Sequence, residues 1–156
     1  MTENRVKEND TVHGKKVSPE TIKSLVADLG SQDGIVRVRT RKSLVSIGGQ
    51  AVKPFVKALA SKREWVRWEA AKPLGQIGDP AAVQALIEAL EDKMFDVRWL
   101  ADEGLISIGR EALVPLLRAL MEHPDSLWLR EGVHHVLHDV DKEDFNEILQ
   151  PVLASL

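Results

Sequence analysis

Residues Glu64 to Pro80 read EWVRWEAAKPLGQIGDP, and variants of this stretch occur four times. Val36-Arg37 leads to Leu44, Ile47 and Gly48. Val66-Arg67 leads to Leu74, Ile77 and Gly78. Val97-Arg98 leads to Leu105, Ile108 and Gly109. Leu129-Arg130 leads to Leu137 and Val140, with Asp141 where glycine would stand. Equivalent residues recur every 30 to 32 positions. A period of that length marks a repeat architecture in which each unit is one supersecondary element.

A second pattern lies between these segments. Its apolar residues fall at i, i+3, i+4 and i+7: Ile22, Leu25, Val26 and Leu29, then Val52, Phe55, Val56 and Leu59. It returns as Val83, Leu86, Ile87 and Leu90, then Leu113, Leu116, Leu117 and Leu120. Such spacing lays a wide apolar stripe along one helical face. We term these A helices and the Val-Arg segments B helices. In a B helix Val66, Ala70, Leu74 and Ile77 share a face. Gly48, Gly78 and Gly109 follow B helices, where a left-handed cap ends the turn. Ser18-Pro19 reads as an N-cap and a first-position proline. Asp79-Pro80 stops one helix and starts the next, and loop residues are added there and around His123-Pro124-Asp125. Pro54 and Pro115 sit in first turns, where a missing N–H costs little. Pro73 is interior to a B helix, and its clash with the Glu69 carbonyl predicts a local kink.

The ends read differently. Residues 1–17 are polar and aperiodic and are expected to form a mobile tail. Asp141 reads as the cap of a last helix carrying Phe145, Ile148, Leu149, Val152 and Leu153 on one face. It would be the first helix of an incomplete fifth unit, closing the open end of the stack.

Composition narrows the class. The chain has 156 residues, 44% hydrophobic and 29% charged, which fits a folded domain rather than a disordered segment. A net charge of -3 argues against a dedicated nucleic-acid binder. The absence of cysteine excludes disulfides, thiolate metal sites and a cysteine nucleophile. No apolar run approaches a membrane span and the N-terminus lacks a signal-like apolar core, so a cytoplasmic protein is expected.

One helix pair cannot bury both its faces; stacking buries them. The expected fold is therefore all-α, a short right-handed α-solenoid. The residues VRWEAAKPLGQIGDPAAVQALIEAL, Val66 to Leu90, resemble the short HEAT-like repeats named after phycobilisome lyases. The resemblance implies four HEAT-like helix pairs at about 18–48, 49–78, 79–109 and 110–140, plus a capping helix at 141–156, in one domain from residue 18. It also implies that Arg37, Arg67, Arg98 and Arg130 tie neighbouring repeats together through carboxylates and loop carbonyls, work that suits a planar five-donor group.

On a helical wheel Trp68 and Gly75 fall opposite the buried arc, with Glu69 and Lys72 on one flank. By the resemblance, B helices line a concave groove, which places Val38, Arg39, Lys42, Trp68, Glu69, Lys72, Trp99, Leu100, Glu103, Glu131 and His135 along it. Its charge is graded, positive toward the N-terminal repeats and negative toward the C-terminal ones. Indoles on such a face call for a partner. His134 and His138 lie one turn apart and are the candidate metal ligands, although packing near the last helix is the simpler role. HEAT-like deoxyhypusine hydroxylases hold two irons with His-Glu pairs; the matching positions here, Val38-Arg39, Trp68-Glu69, Trp99-Leu100 and Glu131-Gly132, contain no histidine, so that activity is rejected.

The expected function is a non-enzymatic interaction module or scaffold holding a protein or peptide segment in the groove, with no catalytic residue and no cofactor. The alternative implied by the resemblance is a bilin lyase-like or chaperone-like subunit acting on a tetrapyrrole-bearing protein. A HEAT-type DNA glycosylase ranks third, since a groove of mixed charge does not favour duplex DNA.

Overall fold

The structure, a computed structural model, describes residues 16–140 together with 146 and 147. Eight α-helices follow one another: α1 (Pro19–Asp28), α2 (Gly34–Ile47), α3 (Gly49–Leu59), α4 (Glu64–Ile77), α5 (Val83–Ala89), α6 (Phe95–Ile108), α7 (Arg110–Glu122) and α8 (Leu127–Asp139). A single 3-10 turn, Pro80–Ala82, precedes α5, and there is no strand among the described residues. The odd-numbered helices are the A set and the even-numbered helices the B set. They form an all-α, short α-solenoid. The expected tail lies outside the described residues except for Lys16 and Val17. So does most of the expected closing helix; only Asn146 and Glu147 are described there, and both are helical.

Local chemistry starts and stops the helices where the sequence indicates. Ser18 Oγ accepts the Thr21 N–H at 3.2 Å, with Pro19 next in line. Asp33 accepts the Ile35 N–H at 2.8 Å, and Asp79 accepts the Ala81 N–H at 2.9 Å ahead of the 3-10 turn. Gly48 and Gly109 depart from the expected left-handed cap. Their φ values of 69° and 72° are positive, but ψ is -136° and -130°. The next helix begins one residue later, so a single glycine turns the chain between B and A helices. Only Gly78, which is followed by a loop, adopts the left-handed conformation.

The A stripes meet the B helices to form the core. All four stripe residues of the third repeat, Val83, Leu86, Ile87 and Leu90, are buried. In each of the other three repeats two stripe residues are only partly buried: Leu25 and Val26, Val56 and Leu59, Leu117 and Leu120. The third A helix is thus the most fully covered of the four. Each fully buried leucine contributes roughly 1.5–3 kcal/mol.

The B layer is the tighter of the two. A Cβ on Gly75 would lie 3.0 Å from the Gly104 Cα, so α4 and α6 meet backbone to backbone. The helices of the A layer touch one another less. The tighter B layer is the one that the resemblance would set on an inner face. Helix α4 continues through Pro73, which is buried.

This packing corrects the wheel for α4. Gly75 does not face solvent; it faces α6. Glu69 and Ala71 are buried, and Trp68 is half-buried against the core. An inner B helix packs against α3, α2 and α6 together. Its buried arc is therefore wider than one apolar stripe suggests.

Candidate functional site

Three of the repeated arginines fasten each B helix to the loop before it. Arg37 Nη1 donates to the carbonyls of Ser31 (2.9 Å) and Gln32 (3.1 Å). Arg67 Nη1 donates to Ser61 at 3.0 Å, and Arg98 Nη1 to Asp92 at 2.8 Å. Two of them also reach the next repeat. Arg37 Nε meets Glu69 Oε1 at 3.3 Å, and Arg67 grips both oxygens of Asp92, with Nη2 at 2.9 Å from Oδ1. Burial pushes the Asp92 carboxyl up, but the Arg67 hydrogen bond, the Met94 N–H and the charges of Arg67 and Arg98 outweigh it and hold the group below its ordinary range. Arg130 is exposed and makes no such bonds among the described residues. The ladder thus has three rungs.

Glu69 belongs to this framework. Its carboxylate is buried and is taken up by Arg37 and Arg41. It edges the groove but leaves no charge for a partner, contrary to its place in the expected groove. A desolvated carboxylate needs such partners, and a position on the rim of the wheel gave no sign of them.

Most of the remaining expected groove residues line three shallow depressions across the B helices, and Lys72 and Glu103 line none of the three. The first, about 710 Å³, is lined by Val38, Arg39, Arg41 and Lys42 of α2 with Trp68 of α4. The second, about 450 Å³, brings Trp68 together with Phe95, Trp99 and Leu100 of α6. The third, about 190 Å³, lies between α6 and α8 and includes Trp99, Glu131 and His135. Glu103 is exposed on α6, and Lys72 is half-buried on α4.

The two groove indoles differ. Trp68 is covered by cations, the Arg41 guanidinium at 5.3 Å from its ring centre and Lys72 Nζ at 5.1 Å. Trp99 is 46% exposed and stacks on His135, ring centres 5.0 Å apart. Trp65 and Trp128, also exposed, carry Arg63 and Arg98 over their rings. Trp99 is thus the indole with free surface and no cation over it among the described residues.

Asp102 was not legible as a site residue. It is buried on α6, where it lines the third depression with Trp99, and its Oδ1 has no hydrogen-bond partner among the described residues. That oxygen sits against α8, where a Cβ on Gly132 would come within 2.8 Å of it. Its Oδ2 lies 3.5 Å from His135 Nδ1. Burial pushes the carboxyl up to about 6, against the pull of His135 and with a further push from Glu103. His135 also reaches Asp139 at 3.4 Å, while His134 and His138 are exposed and His138 pairs with Asp139 at 2.6 Å. Among the described residues no three His, Cys, Asp or Glu side chains converge as a metal site would require. No helix among them is long and apolar enough to cross a membrane.

The sequence profile of the HEAT repeats matches residues 22–101. The chain belongs to the HEAT repeat family. The match runs from α1 into α6, and α6 to α8 continue the same pattern of A and B helices. Among solved structures, this HEAT-repeat chain is similar to the crystal structure of an engineered protein from a structural genomics consortium. The two share 22% identity at a TM-score of 0.46, over 77% of this chain and 62% of the engineered one. The HEAT-repeat chain thus spans less than two thirds of that protein. No curated protein matches it significantly.

Proposed function

We propose that this HEAT-repeat chain is a non-enzymatic interaction module that holds an extended protein segment across its B helices. The observation that carries this reading is the second depression. Trp68, Phe95, Trp99 and Leu100, from two helices, pool apolar surface on the B face of the stack. Phe95 and Trp99 leave much of theirs open to water. Exposed aromatic surface of this kind is the usual material of an interface anchor. Asp96 is the one ionisable side chain lining that depression, and no base is paired with it among the described residues.

Selection of a displayed random-peptide library on the protein tests the reading. Enriched peptides should bind wild type and lose about thirtyfold in affinity, or about 2 kcal/mol, with Trp99→Ala, whose melting temperature should stay near that of wild type. Equal binding to both proteins would refute it.

A second reading has one observation in its favour. Trp68 flanked by Arg41, Lys72, Arg39 and Lys42 has the make-up to receive a flat tetrapyrrole bearing carboxylates. That would agree with the resemblance to the phycobilisome-lyase repeats. A shift in bilin absorbance on mixing would support it, and an unchanged spectrum would remove it.

A further inference from the structure

Helix α2 carries Arg37, Arg39, Arg41 and Lys42 and no carboxylate from Gly34 to Ile47. Arg37 and Arg41 share the single carboxylate of Glu69. Arg39 and Lys42 are exposed and make no ion pair among the described residues. Ile35, Val38, Arg39 and Lys42 follow the spacing i, i+3, i+4, i+7, which places them on one face of α2. That face is unusual in its apolar share, since Ile35 is 72% and Val38 40% exposed. It opens into the first depression, whose far wall is Trp68.

We propose that this end of the groove receives an acidic stretch of the bound segment, carboxylates on Arg39 and Lys42 and interleaved apolar side chains on Ile35 and Val38. The proposal rests on the peptide-binding reading above and adds the chemistry and direction of the occupant. Charge complementarity sets both. The opposite end of the groove presents Glu103 and Glu131, with Asp96 lining the middle depression; Arg98, which also lines the third depression, is engaged by the Asp92 carbonyl and the Trp128 ring. A uniform polyanion laid along the B helices would meet repulsion there, whereas a segment acidic only at the α2 end meets none. Nucleic acid, whose charge is uniform, fits the arrangement poorly. The attraction acts between exposed groups, so it tunes affinity and orientation while the apolar contacts hold the segment.

Two fluorescein-labelled synthetic peptides test this. They share a leucine- and tryptophan-rich half and differ in the other half, glutamate in one and lysine in the other. Anisotropy should show the glutamate peptide binding about tenfold more tightly at low salt, with the advantage shrinking as salt rises. The double variant Arg39→Glu, Lys42→Glu should invert the preference at an unchanged melting temperature. Equal affinity for the two peptides overturns the proposal, and so does a glutamate preference that survives the double variant. If both peptides bind alike and both are lost in Trp99→Ala, the groove reading stands and the acidic occupant falls. If neither peptide binds, both readings fall. Tighter binding of a labelled DNA duplex than of either peptide, lost in the double variant, would replace the acidic peptide with a nucleic acid.

Discussion

Asp102 holds one carboxylate oxygen out of reach of water and of every donor among the described residues. Burial lifts the group from 3.8 to about 6 in the folded chain. A carboxyl with a raised folded-state value binds its proton more tightly folded than unfolded. The stability it contributes is therefore full below 3.8 and is lost as pH rises through about 6. Asp102→Asn removes that titration. Thermal melts across this window should show the difference between wild type and variant growing with pH in favour of the variant, on the order of 1 kcal/mol at neutral pH after allowance for solvent screening. A constant difference across the window would mean that Asp102 does not titrate there. The residue escaped sequence reading because its environment is made by another repeat. Gly132 and His135 approach it from α8, and no spacing within α6 announces them. Arg37, Arg67 and Arg98 were legible for the opposite reason: a residue repeated in register shows itself before its partners are known. Trp68 lies between the two cases. Its position was legible, and so was Lys72 one turn further along the same helix, but its half-buried state and its covering by Arg41 depend on packing against α2, so Trp99 is the cleaner probe of binding.

At the scale of helices, pattern was a reliable guide to what each segment is and a poor guide to how segments approach. Periodicity, caps and the three glycines were enough to expect four pairs of A and B helices ahead of a closing helix. They did not tell that α4 and α6 meet at Gly75 and Gly104, because a glycine within a helical pattern carries no mark of its neighbour. A methyl group on Gly75 would press on backbone, which has little room to yield. Overpacking costs about 1–3 kcal/mol, and the gain in helix propensity returns about 1 kcal/mol. Gly75→Ala should therefore lower stability in urea denaturation by on the order of 1 kcal/mol net. A variant as stable as wild type would show that the two helices separate without penalty.

At the scale of the whole stack, the repeat period was sufficient for the fold. The expected closing helix lies mostly outside the described residues; Glu147 there pairs with Arg110 of α7. The arginine rungs carry a further consequence. Repeats one and two are joined by Arg37 and Arg41 on Glu69, and repeats two and three by Arg67 on Asp92. Between repeats three and four no arginine meets a carboxylate among the described residues; Arg98 rests on the Trp128 ring, and His135 stands 3.5 Å from Asp102. In a linear array each joint sets the cooperativity across it. If charge pairing rather than apolar packing decides which joint gives way, this one is the expected seam and unfolding has a direction. Amide protons of α7 and α8 should exchange with deuterium faster than those of α4 and α6, the gap widening as rising pH charges Asp102. Uniform protection through all four repeats would mean that the array opens as one piece.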